Sequence, residues 1–286
     1  MVIQSTRTPA GTCDLGIEHL APFFLLTFAL SWGLAAAFVV FPDQITAMFG
    51  ELSVTNPLYL VMTWSPGLVG MLLVLLATGL SGLRRFFGRL FDASVPLAWW
   101  AFVLLALPAL KMTGALLNGT PITGLLNLSP FGEILSMSVF MLFLGPVEEF
   151  GWRGVALPLM QRLTAPVWAG VIVGFVWAFW HLPAFYISGT PQSAWALLPF
   201  LIGGTAIGVV MAVAYNKTGG NLLLPILTHW QLNIAFWPEA QPWENYLSVA
   251  LALVLLWVHR DVMFDRDKGL TEVVPSQHTA RFRNPA

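Results

Sequence analysis

The chain has 286 residues, of which 57% are hydrophobic and only 9% charged, against about 25% charged in ordinary soluble domains. With a mean hydropathy of +0.75, that deficit excludes a soluble globular domain and a basic nucleic-acid-binding surface, and it points to an all-α polytopic membrane protein. The formal net charge of −1 says little, because in such a chain the placement of charge matters more than its sum. The lone cysteine, Cys13, excludes an intramolecular disulfide and any Cys-based metal site.

Taken in order, the chain opens with a polar tail, residues 1–19, which holds Arg7 and Cys13. The apolar run Leu20 to Phe41 exceeds the roughly 7–15 residues of a signal-peptide core, so it reads as a retained first transmembrane helix. At about 20 apolar residues per crossing, about eight spans fit the chain. They lie near 20–41, 57–79, 96–117, 131–150, 166–186, 194–215, 221–237 and 244–259. The fourth can continue past its glutamates as far as Gln161. Ser81 to Ala93 mixes Arg84, Arg85 and Arg89 with leucines and phenylalanines, the composition of an amphipathic interfacial stretch. The segment after Phe264 is charged and contains proline, as mobile tails do. The expected organisation is a tail over 1–19, a transmembrane domain over 20–260 and a second tail over 261–286.

Basic residues alternate from loop to loop. Arg7, the Arg84–Arg89 cluster, Arg162, Lys217, and the group Arg260, Arg266, Lys268, Arg281 and Arg283 fall between alternate spans, whereas 42–56, 118–130, 187–193 and 238–243 contain no Lys or Arg. The positive-inside rule then puts both termini and every basic loop in the cytoplasm. Lys111 and Arg153 are the two cations left inside or at the edge of spans.

Ionisable groups in hydrocarbon cost about 2.5–3.5 kcal/mol each on insertion scales, so those present need a partner, a wet cavity or a chemical role. Three clusters stand out: Glu148-Glu149-x-x-x-Arg153, Trp177-x-x-x-His181 and His229-x-x-x-Asn233. Each holds an i, i+4 pair, which shares one helical face. A salt bridge from Arg153 to Glu149 leaves Glu148 as the less neutralised carboxylate. The bland alternatives are glutamates snorkelling to headgroups and histidines serving only as interhelical donors. Gly145, Pro146 and Gly151 around the glutamates favour a bent helix beside a cavity.

Such a set can hydrolyse a peptide bond. A partly desolvated carboxylate can act as base near neutral pH, a histidine can hold the same water directly or through a metal, and a histidine with an asparagine can donate to an oxyanion. No zincin His-Glu-x-x-His signature is present. One geometric tension remains. If the fourth span starts at Phe131 on the outer face, Glu148 is roughly 26 Å deep, while His181 is about 22 Å from the opposite face counted from Pro166. The two groups meet only if helices tilt, break or shift.

The ordered set resembles the CAAX prenyl endopeptidase and bacteriocin-processing family of intramembrane proteases, whose pattern is Glu-Glu-x-x-x-Arg, Phe-x-x-x-His and His-x-x-x-Asn or Asp. The resemblance covers roughly 131 to 237, and Trp177 stands where the family usually has Phe. It implies catalytic roles for Glu148, Glu149, Arg153, His181, His229 and Asn233. It also implies a peptide or protein substrate, membrane-anchored or prenylated in some branches. Members are described both as zinc enzymes, for which Glu148, His181 and His229 are the candidate ligands here, and as metal-free glutamate-dependent enzymes. The alternatives are a transporter or proton relay built on the same polar cluster, and a catalytically silent immunity or scaffold protein.

Overall fold

The computed structural model describes residues 14–91, 95–126, 128–188, 190–234 and 236–276. Arg7, Cys13, Arg281 and Arg283 lie outside the described residues. Among those described, the chain is all-helical, without strands. The helices are α1 (Leu20–Val40), α2 (Pro42–Phe49), α3 (Pro57–Gly88), α4 (Leu97–Leu117), α5 (Phe131–Leu144), α6 (Glu149–Gly151), α7 (Leu157–Gln161), α8 (Pro166–Trp180), α9 (Leu197–Lys217), α10 (Leu223–Asn233), α11 (Trp243–Val258) and α12 (Arg260–Met263). Five segments are long and apolar enough to cross a membrane: Ile17–Val40, α3, α4, Phe131–Gln161 and α9. α8 and α11 are shorter apolar helices, and α10 has only 11 residues. The protein is an integral membrane protein.

The fourth predicted span is one interrupted rod. From Phe131 it runs through a 3-10 turn, Pro146–Glu148, then α6, a π-helical turn, Trp152–Ala156, and α7. Proline sets both interruptions, because it lacks the N–H that would continue the ladder. At the first, the Glu148 N–H turns back to Gly145 O, and the Trp64 indole donates to the released carbonyls of Phe143 (2.9 Å) and Leu144 (3.1 Å). At the second, Pro158 cannot donate to Gly154 O, and Arg89 Nη1 takes that carbonyl at 3.2 Å. In lipid every backbone polar group needs such a partner, so each break comes with a side chain that repairs it.

The rod also removes the depth conflict. Its 31 residues exceed the roughly 30 Å hydrocarbon thickness at helical rise, so Phe131 need not mark the edge of the apolar layer. Measured from Gln161, Glu148 lies about 20 Å in, level with His181 at about 22 Å from Pro166.

Ser81 to Gly88 forms a helix that continues α3 beyond a kink at Gly79 (φ 67°), and Arg89 is 3% exposed. Its guanidinium binds Gly220 O, Gly154 O, Val273 O and the Tyr215 hydroxyl. The segment after Phe264 is not loose over its described part, because Val273 and Val274 are buried and their N–H groups donate to Asp14. Arg162 pairs with Asp14 at 2.6 Å and donates to Thr271 O, which fastens both terminal segments under the rod.

α8 and α9 pack backbone to backbone. A Cβ on Gly208 would fall 2.3 Å from Gly174 Cα, and one on Gly170 would fall 2.9 Å from Ala212 Cβ. Small residues let membrane helices approach this closely. Forcing bulk into such a seam typically costs about 1–3 kcal/mol. Gly208→Ala is therefore expected to lower the unfolding temperature in detergent, whereas Gly132→Ala, with nothing within 4 Å of the new carbon, leaves it unchanged.

Candidate functional site

The site is assembled where the rod breaks. Pro146 and the 3-10 turn bring Glu148 and Glu149 inward, at 2% and 0% exposure. Glu149 is held from two sides. Arg153 Nη1 donates to both its oxygens, at 2.8 and 3.0 Å, and His229 Nδ1 donates to Oε1 at 2.7 Å. Glu148 is engaged differently: the Trp177 indole N–H donates to its Oε2 at 2.9 Å. The Arg153 guanidinium lies 4.9 Å from the Trp177 ring centroid, a cation–π contact that seals the back of the cluster.

The histidines are oriented by the same logic. His181 ends α8 and directs Nδ1 to Trp177 O at 2.8 Å. A carbonyl and a carboxylate only accept, so in both rings Nδ1 carries the proton, and the Nε2 of a neutral ring is an acceptor. α10 stops at Asn233 because Ile234 turns extended (ψ 139°). Its short length leaves His229 buried and ends the helix with Asn233 exposed on the cavity wall. Gly145 is what lets α10 approach: a Cβ there would fall 2.5 Å from Asn233 Nδ2 and 2.9 Å from His229 Nε2.

Glu148, His181, His229 and Asn233 line one cavity of about 450 Å³. Its wall includes Ser31, Trp32, Tyr59, Thr63 and Trp180. Glu149 and Arg153 are not on that wall and stand behind His229 and Trp177. Lys111 also faces the cavity but pairs with Glu244 at 3.1 Å, so it neutralises neither glutamate of the pair. Sequence reasoning gave Trp177 no donor role. The exchange of Phe for a residue with an N–H, one turn before His181, was the available signal. Among the described residues, no three His, Cys, Asp or Glu side chains are grouped so as to hold an ion.

The fold is that of an all-helical membrane protein whose interior encloses a chamber of carboxylates, imidazoles and an amide. Residues 130–235 match the family model for Type II CAAX prenyl endopeptidase Rce1-like. The chain is 27% identical over 165 residues to CAAX prenyl protease 2 of Methanococcus maripaludis, an alignment that covers 53% of this chain and 60% of that relative. The chain is thus similar to CAAX prenyl endopeptidases over its motif-bearing part, and the alignment spans less than two thirds of that relative's length.

The arrangement predicts a division between the two glutamates. Removing one partner of a buried ion pair costs about 3–5 kcal/mol, so Glu149→Gln and Arg153→Ala are expected to lower the unfolding temperature sharply. Glu148→Gln, which keeps an acceptor for Trp177, is expected to unfold close to the parent protein. Thermal unfolding followed by tryptophan fluorescence in detergent reads the difference.

Proposed function

We propose that the protein is an intramembrane endopeptidase that hydrolyses a peptide bond with a water activated by Glu148 and His181. The observation that carries this reading is the common cavity lined by Glu148, His181, His229 and Asn233, which come from three separate segments. Glu148 has one oxygen fixed by Trp177 and the other available to take a proton from the attacking water and pass it to the leaving amine as the carbon–nitrogen bond breaks. The Nε2 of His181 accepts from the same water and aims it. Asn233 donates its amide to the oxyanion of the tetrahedral intermediate. His229, its Nδ1–H held by Glu149, lines the cavity beside Asn233. A buried carboxylate orients the histidine of a catalytic triad in the same way. Arg153 compensates Glu149 and acts as a positioning residue. No step in this scheme runs through a metal.

The peptidase unit extends over residues 20–260, with its motifs in 131–237, and the substrate is a peptide or protein segment. By the positive-inside rule both termini are cytoplasmic in this reading, and the chain makes about eight crossings.

Purified protein assayed on peptide libraries, with and without chelator, tests the proposal. Glu148→Ala or His181→Ala is expected to abolish cleavage while leaving expression and monodispersity intact, and chelator is expected to have no effect. Normal cleavage by either variant overturns the assignment. Trp177→Phe removes a charge-assisted hydrogen bond, a class worth about 1.5–3 kcal/mol. It is expected to lower kcat/KM about tenfold or more without loss of folded protein.

A further inference from the structure

Among the described residues, the Lys and Arg side chains of the connecting segments gather at one end, and the cavity is lined from the other. At the first end Arg89 binds Gly220 O and Val273 O, Arg162 binds Asp14 and Thr271 O, and Arg266 donates to Arg162 O. Lys217, Arg260 and Lys268 belong to the same layer, at the close of α9 and after α11. The second end carries the segments 41–56, 118–130, 187–196 and 234–242, whose sequence holds Asp43, Glu51 and Glu239 and no Lys or Arg. Lys111, the one cation of the described residues near it, is neutralised by Glu244.

The cavity wall draws Leu52 and Val54, Pro191, Gln192 and Trp195, and Pro238 and Glu239 from three of those cation-free segments. None of its lining residues comes from the basic layer. The rim is also built, not draped. Asn56, 3% exposed, donates to the carbonyls of Phe49, Gly50 and Glu51 and caps α3 through Leu58 N. Across the opening, Thr190 donates to Ala184 O and Ile187 O, and Ser193 donates to Thr190 O.

Because cationic loops are retained on the cytoplasmic side, the geometry points to a chamber that opens to the extracytoplasmic side. We infer that its substrate is an extended polypeptide already exposed on that face, not a prenylated tail presented from the cytoplasm. The identity of the substrate rests on the peptidase reading above; the side on which the chamber opens does not.

Two measurements separate these claims. In a Cys13→Ser background, single cysteines are placed at the rim (Glu51→Cys and Gln192→Cys) and in the basic layer (Lys268→Cys). Intact cells of a bacterial host are then treated with a membrane-impermeant maleimide. The rim cysteines are expected to label in intact cells, and Lys268→Cys only after lysis. The reverse pattern, or equal labelling of both sets before lysis, overturns the inference. A membrane-impermeant fluorogenic peptide, first shown to be cut by the enzyme in detergent, is then offered to spheroplasts and to inside-out vesicles. Cleavage by spheroplasts supports the inference. Cleavage confined to inside-out vesicles overturns it and leaves the peptidase reading standing. If no peptide is cut even in detergent, the peptidase reading fails, and the labelling alone decides the side.

Discussion

A single carboxylate that never meets solvent sets the geometry of the interior. Glu149 is fully buried, and such a charge is tolerable only when its partners are close and well aimed. Arg153 supplies the cation from one turn along the same rod, and His229 reaches it from α10. These two contacts fix the rotation of the broken helix and the position of α10 together. Everything on the cavity wall then follows: His229 and Asn233 share a helix end, Gly145 leaves room for them, and Trp177 bridges Arg153 to Glu148. The buried network is thus a register device more than a source of stability, since a well-packed apolar replacement could be as stable.

The breaks in the rod follow from the same economy of polar groups. A straight helix presents one face and no free backbone, whereas a proline-broken one turns adjacent residues, Glu148 and Glu149, to separate tasks. The interruption releases carbonyls, and Trp64 and Arg89 absorb them. The polar chamber and the repaired backbone are two results of one distortion, and neither would be sustainable in lipid without the other.

The sequence makes some of this legible and hides the rest for identifiable reasons. Composition and apolar run length disclose a helical membrane protein, because the cost of burying charge is local and large. The i, i+4 spacing discloses the Glu149–Arg153 pair, because both residues lie on one helix. The Trp177 hydrogen bond was not legible, since it joins helices 29 residues apart and an indole reads as apolar bulk. The burial of Arg89 was not legible for a related reason: its partners, Gly220, Gly154 and Val273, are carbonyls, which leave no trace in composition. The apparent depth mismatch of Glu148 and His181 came from taking the start of an apolar run for the edge of the bilayer, and a rod of 31 residues need not start there.

Arg89 carries one more consequence. A single guanidinium joins the π-helical turn that follows the glutamates to Val273, far along the chain. Tension on the last described residues would therefore travel, through one side chain, to the backbone just past Glu149. A purification tag or crosslinker fixed near Val273 pulls on the interior, whereas the same handle placed on α2, at the other end, leaves that linkage slack.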